Sequence, residues 1–153
     1  MLYDTKTILI GSDHGGFEMK KELIEYLTSK IDKNSNDIEI IDIGTNSNES
    51  CDYPDIAKQL CTHQKLDTDT ASGILICGTG IGISIAANKY SNIRCALCHN
   101  EYTVKMTRNH NNANILALGA RVINIEIAKK IVDIFFTENF EGGRHKNRID
   151  KIL

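Results

Sequence analysis

The chain has 153 residues, enough for one domain with its own core and too few for two ordinary ones. Hydrophobic residues make up 41% and charged residues 25%, the balance of a globular protein in water, and the net charge of -2 gives no electrostatic basis for nucleic acid or an anionic membrane as partner. No apolar run reaches transmembrane length, no signal-peptide core precedes the first strand, and five cysteines, an odd number in a chain too long to need staples, predict a reduced, cytoplasmic setting.

Apolar strand-like runs alternate with helical patterns along the chain. The opening residues, Met1 to Lys6, lead directly into a strand over Thr7 to Gly11. Phe17 to Lys30 is a helix with Met19, Leu23, Ile24, Leu27 and Ile31 on one stripe. A polar loop, Asp32 to Asp37, leads to a second strand, Glu39 to Ile43. Pro54 suits a first helical turn and opens a helix reaching about Cys61, followed by a polar loop over His63 to Thr70. The third strand, Gly73 to Ile76, precedes a glycine-rich turn and a helix over Gly82 to Asn88. Arg94 to Cys98 is the fourth strand, Asn100 caps the next helix, and Ile115 to Leu118 is the fifth strand. Asn124 caps a long helix with Ile127, Ile131, Ile134 and Phe135 inward, and a polar tail from Arg144 follows Gly142-Gly143. Most of these strands are short, apolar and non-alternating, as strands covered on both faces are. Strand-helix alternation of that kind predicts one domain, an α/β/α sandwich around a parallel sheet.

Ligands of open α/β sheets bind at the carboxyl ends of the strands, so the residues just beyond each strand matter most. Beyond the first come Asp13 and His14 with Gly15-Gly16; beyond the second, along its loop, Asp52 and Tyr53. Beyond the third comes Cys77, with Gly78, Thr79, Gly80, Ile81 and Gly82; beyond the fifth, Gly119 and Arg121. The three glycines let the backbone approach a ligand, and the turn amides with the helix N-terminus favour negative charge. Cys77 at the mouth of that turn gains thiolate character, which makes it a candidate base or nucleophile. The spacing fits neither the dinucleotide fingerprint, since position 83 is Ile83, nor a P-loop, since no Lys-Ser/Thr pair follows. The plain alternative is a tight turn with an inert cysteine. For Asp13 it is a helix cap. His110, in the polar stretch Arg108 to Asn112, reads alone as a solvated or helix-capping histidine. Arg144 and Arg148, four apart, repel by about 0.2–0.5 kcal/mol unless an anion is shared between them, and a guanidinium suits phosphate. Cys95 and Cys98 have metal or redox spacing, but residues three apart in a strand face opposite sides. No histidine-acid spacing indicates a metal site.

Ser12-Asp13-His14-Gly15-Gly16-Phe17, Asp52-Tyr53-Pro54, Ile76-Cys77-Gly78-Thr79-Gly80-Ile81-Gly82 with its continuation to Lys89, His110-Asn111, and Glu141-Gly142-Gly143-Arg144-His145 with Arg148 together resemble ribose-5-phosphate isomerases of type B. The likeness runs in order through nearly the whole chain. It implies a five-stranded parallel, Rossmann-like sheet and a homodimer with shared active sites, with a further pairing of dimers left open. It implies cofactor-free, metal-free interconversion of ribose 5-phosphate and ribulose 5-phosphate. By the same resemblance Cys77 is the base, His110 opens the furanose ring and Thr79 assists. Asp13, His14, Tyr53, Asn111 and the turn Gly78, Gly80, Ile81 and Gly82 are substrate contacts. Arg121, Arg144 and Arg148, with His14, form the phosphate site, which the tail over 142–153 completes. His110, Asn111 and Arg121 are expected from the partner subunit.

The bottom-up reading agrees with most of this. An aldose-ketose isomerisation needs one base, an acid for ring opening, and donors for the enediolate oxygen. Fold logic alone would put phosphate on the glycine turn; the resemblance puts it on the arginines and leaves the turn free for chemistry. A six-carbon sugar phosphate such as allose or galactose 6-phosphate remains a second substrate reading. A non-catalytic phosphosugar-binding module is a third.

Overall fold

A computed structural model describes residues 5–34 and 37–152. Its strands are β1 (Thr7–Ser12), β2 (Glu39–Gly44), β3 (Ala71–Cys77), β4 (Cys95–Leu97) and β5 (Ile115–Gly119). Its helices are α1 (Phe17–Asn34), α2 (Tyr53–Cys61), α3 (Ile81–Ala87), α4 (Glu101–Asn111), α5 (Ile125–Thr137) and α6 (Arg144–Ile149). The strands form one parallel sheet in the order β2-β1-β3-β5-β4, with Asn100 and Asn124 capping α4 and α5 as expected. The expected parallel α/β/α sandwich is the architecture found.

Alternation along the strands sorts the core into two layers. Ile8, Ile10, Ile74, Ile76, Leu116 and Leu118 meet the buried stripes of α1, α4 and α5 on one face. Leu9, Leu75, Cys77, Ile115 and Ala117 meet α2 and α3 on the other. Each fully buried Leu or Ile contributes about 1.5–3 kcal/mol relative to exposure. Cys95 and Cys98 fall into opposite layers, so their spacing is that of two faces of one strand and not of a ligand pair. Among the described residues no helix is long and apolar enough to cross a membrane.

Several boundaries differ from expectation. The first helix runs on to Asn34, so Asp32 to Asn34 of the loop expected over Asp32 to Asp37 are helical; residues 35–36 lie outside the described part. Residues 1–4, expected to lead into the first strand, also lie outside it. The loop over His63 to Thr70 contains a 3-10 turn, Gln64–Asp67, because Leu66 reaches into the core. On α5, Ile131, Val132, Phe135 and Phe136 are buried, whereas Ile127, expected inward, is exposed. The inward face is therefore rotated from the one the isoleucines alone define.

One buried cation organises the loop beyond β2. Lys20 is fully buried on α1; its ammonium pairs with the Asp42 carboxylate and donates to the Thr45 carbonyl at 2.7 Å. The Thr45 amide in turn donates to the Ser12 carbonyl at 2.7 Å. The loop that delivers Cys51 and Tyr53 is thus tied to the end of β1.

Candidate active site

The strand order reverses between β1 and β3, whose carboxyl ends flank a crevice. The Asp13 amide, just past β1, donates to the Ile76 carbonyl at 3.1 Å, and Cys77 ends β3 beside it. Cys77 is 4% exposed, deeper than a thiol at the mouth of a turn. Alternation places it on the α2/α3 face, and the Gly80 amide donates to its sulfur at 3.1 Å. Gly80 has φ of 76°, and a Cβ there would stand 2.5 Å from Leu97 Cδ1 and 2.8 Å from the Leu118 carbonyl carbon. Only glycine holds an amide at the sulfur in this turn.

The surrounding side chains converge on that turn. Asp13 Oδ1 accepts from the Gly15 and Gly16 amides at 2.9 and 3.2 Å, so this oxygen serves as the cap and only Oδ2 stays clear of it. His14 Nδ1 lies 3.2 Å from both the amide and the carbonyl of Cys51, so either tautomer ties the ring to that loop through Nδ1. Thr79 Oγ1 accepts from the Ile81 amide at 3.3 Å, holding the turn from inside. The Tyr53 ring lies over Gly82, where a Cβ would come within 2.6 Å of it. The amides of Ala120 and Arg121 donate to the carbonyls of Cys77 and Gly78, both at 2.9 Å. That latch lays the Arg121 guanidinium over Gly78, with Nη1 3.0 Å from the position a Cβ would take. Arg121 therefore belongs to the Cys77 turn of its own chain, in contrast to the expectation that a partner supplies it.

His110 and Asn111 sit elsewhere. The α4 helix starts beyond the carboxyl end of β4 and runs back, so its last turn lies at the amino-terminal edge of the sheet. Arg94, just before β4, marks that edge: its guanidinium donates to the Asn111 and Asn112 carbonyls at 3.1 and 2.8 Å. Asn112, at φ of 44°, ends the helix there. The Glu141 amide donates to the Asn109 carbonyl at 3.0 Å, which brings α6 alongside. His110, Asn111, Arg144, His145, Arg148 and Ile149 then line one open groove. Arg144 and Arg148 thus accompany His110, and the tail expected as a polar extension is a helix with His145 buried. The His110 and His145 rings stack with centroids 4.1 Å apart and planes 11° apart. Burial first, then His110 and Arg144, hold the His145 imidazole below its ordinary pKa.

One chain therefore carries two half-sites at opposite edges of its sheet. The first gathers Asp13, His14, Tyr53, Cys77, Thr79, the glycine turn and Arg121. The second gathers His110, Asn111, Arg144 and Arg148. Among the described residues no hydrogen bond or ion pair joins them.

The sequence matches the ribose/galactose isomerase family over residues 8–152. The chain belongs to that family. It is 44% identical to ribose-5-phosphate isomerase B of Escherichia coli, over 96% of this chain and 94% of that one. It is 47% identical to a sugar phosphate isomerase of Rickettsia conorii, so described provisionally, over 97% and 98%. Among solved structures, ribose 5-phosphate isomerase B of Thermotoga maritima superposes with a TM-score of 0.87 at 49% identity, covering 95% of this chain and 96% of that one. The Mycoplasma genitalium enzyme with bound ribulose-5-phosphate has the same TM-score at 43% identity, covering 95% and 93%. The chain is an isomerase of this family, with the family's Rossmann-like fold.

Sequence reasoning singled out every residue of these two groups; His145, which lies against the second, it recorded as part of a motif without a role. No periodicity links positions 110 and 145; only the return of α5 and α6 to the end of α4 does.

Proposed function

We propose that this chain interconverts D-ribose 5-phosphate and D-ribulose 5-phosphate without metal or cofactor, as a homodimer in which each active site joins two half-sites from different subunits. The observation that carries this reading is the separation itself. The amide-held Cys77 is a base without an acid, and His110 is an acid without a base, at opposite edges of one fold. The apolar residues beside them point the same way. Ile81, Ile85 and Val122, next to the Cys77 turn and Arg121, and Ile152, beside the His110 groove, are all exposed. A second copy that covers them brings the half-sites together.

In the joined site, His110 protonates the ring oxygen as the furanose opens. The Cys77 thiolate removes the proton from C2 and returns it to C1. The turn amides and Thr79 hold the enediolate oxygen between the two transfers. Arg121 and His14 from one subunit, and Arg144 and Arg148 from the other, hold the phosphate throughout. Asp13, Tyr53 and Asn111 bind the sugar hydroxyls, and the whole chain works as one unit with the segment over 142–153 closing the phosphate site. The five cysteines are all free thiols, the state a reducing cytoplasm maintains. Conversion of ribose 5-phosphate by the purified protein in EDTA, with Cys77→Ala alongside, tests the reading. Turnover in the parent chain and a loss of roughly 10²–10⁴-fold in the folded variant are expected. Near-normal turnover by Cys77→Ala would remove Cys77 as the base. A higher kcat/KM for allose 6-phosphate would move the substrate to six carbons.

A further inference from the structure

The cluster of His110, Glu141 and His145 brings ligand-capable atoms within 4.8 Å of one another, which first raises the question of a metal ion. The geometry answers against one. Lone pairs of two imidazoles only 11° from parallel do not converge on a tetrahedral ion, and Arg144 and Arg148 line the same groove. What the cluster does have is a ring-on-ring contact with one member locked. His145 is 6% exposed, and its Nε2 is buried without a hydrogen-bond partner. The Glu141 carboxylate approaches that nitrogen no closer than 3.4 Å. The buried ring presents its face at stacking distance. That face is what His110 rests on.

We propose that His145 is the positioning residue for His110: its buried ring stacks on the His110 imidazole and fixes the plane in which His110 presents its nitrogens to the groove. The proposal rests on the reading of His110 as the ring-opening acid. A solvent-facing imidazole at a helix end is otherwise free to turn about χ1 and χ2. Stacking removes that freedom before substrate arrives, which is how a general acid gains from orientation. The electrostatics reinforce the division of labour. The charged or titratable groups facing His145 are His110 from α4, Glu141 from the preceding loop, and Arg144 and Arg148 from its own helix. Three of these four are cations or become cations on protonation, and burial adds to their effect. These groups and burial disfavour the charged form of His145. A neutral aromatic face under an imidazolium is itself favourable, as a cation over a π-system.

The test uses the full chain with His145→Ala and His145→Phe. Phe keeps a flat face and discards the nitrogens; Ala discards both. With ribose 5-phosphate, His145→Ala should lower kcat by roughly ten- to a hundredfold with little change in KM. His145→Phe should recover most of that loss. In ring-nitrogen NMR spectra of the unmutated protein, the His110 signals should carry the ring-current shift of a stacked neighbour and lose it in His145→Ala. Equal kcat in all three proteins, or His110 signals without the ring-current shift of a stacked neighbour, would overturn the proposal. Absence of turnover in the unmutated protein would count against the proposed reaction and not against the stack, which the NMR arm tests without substrate. Should His145→Ala not fold, His145→Phe and the spectra of the unmutated protein decide alone.

Discussion

A thiol acts as a base near neutral pH only where its surroundings let it ionise, and the cysteines here divide on that point. Burial pushes Cys61 up to about 12 and Cys98 to about 11, with Thr103 pulling the latter slightly back, and burial together with the neighbouring thiols raises Cys95 as well. At pH 8 fewer than about one in a thousand of the Cys61 and Cys98 side chains is a thiolate. Cys77, the proposed base, accepts a backbone hydrogen bond from Gly80. Iodoacetamide at pH 8 should therefore spare Cys61, Cys95 and Cys98, modify Cys77, and be blocked there by ribose 5-phosphate. Peptide mapping by mass spectrometry checks this, and alkylation of Cys95 ahead of Cys77 would contradict it. In the proposed reaction Arg144 holds the phosphate throughout, so Arg144→Ala should raise KM by roughly tenfold or more and leave kcat nearly unchanged in steady-state kinetics.

Elements, not side chains alone, set the position of the chemistry. The Cys77 turn depends on Gly80, whose φ of 76° and 2.5 Å approach to Leu97 Cδ1 leave no room for a Cβ. Gly80→Ala should destabilise the fold by about 2–4 kcal/mol in urea unfolding and lose most activity through displacement of the amide at Cys77. The Lys20 strut makes a separate demand. Lys20→Met keeps the aliphatic stem but strands the Thr45 carbonyl and the half-exposed Asp42 carboxylate; about 1–3 kcal/mol of stability should be lost in the same measurement. The sequence made the strands, the glycine turn and the caps at Asn100 and Asn124 legible because each rests on local preference: apolar runs, φ freedom and a side-chain oxygen at a helix start. Lys20 was not legible. A lysine on an amphipathic helix reads as a solvated residue until the partner strand supplies Asp42. The inward face of α5 was misread at Ile127 for the converse reason, that hydrophobicity alone does not say which side of a helix meets the sheet.

At the scale of the whole molecule, the candidate site is legible in its parts and not in its assembly. Asp13, Cys77 and Arg121 stand beyond strand ends, where fold logic alone looks for a site. His110, Arg144 and Arg148 do not, because their helices carry them to the far edge of the sheet. The resemblance gave these last residues their roles and expected Arg121 from the partner subunit, whereas the structure lays Arg121 over the Cys77 turn of its own chain, and Arg144 and Arg148 beside His110. In the proposed dimer two chains exchange half-sites, so that one base and one acid meet a single sugar. The most direct test is complementation. Cys77→Ala and His110→Ala chains, each inactive alone, are coexpressed with different tags, and the mixed dimer is purified through both. One of its two sites then holds an intact Cys77 from one subunit and an intact His110 from the other, so it should show about half the activity of the unmutated dimer. A mixed dimer of confirmed composition with no more activity than either parent would show that base and acid come from the same chain, and would contradict the shared site.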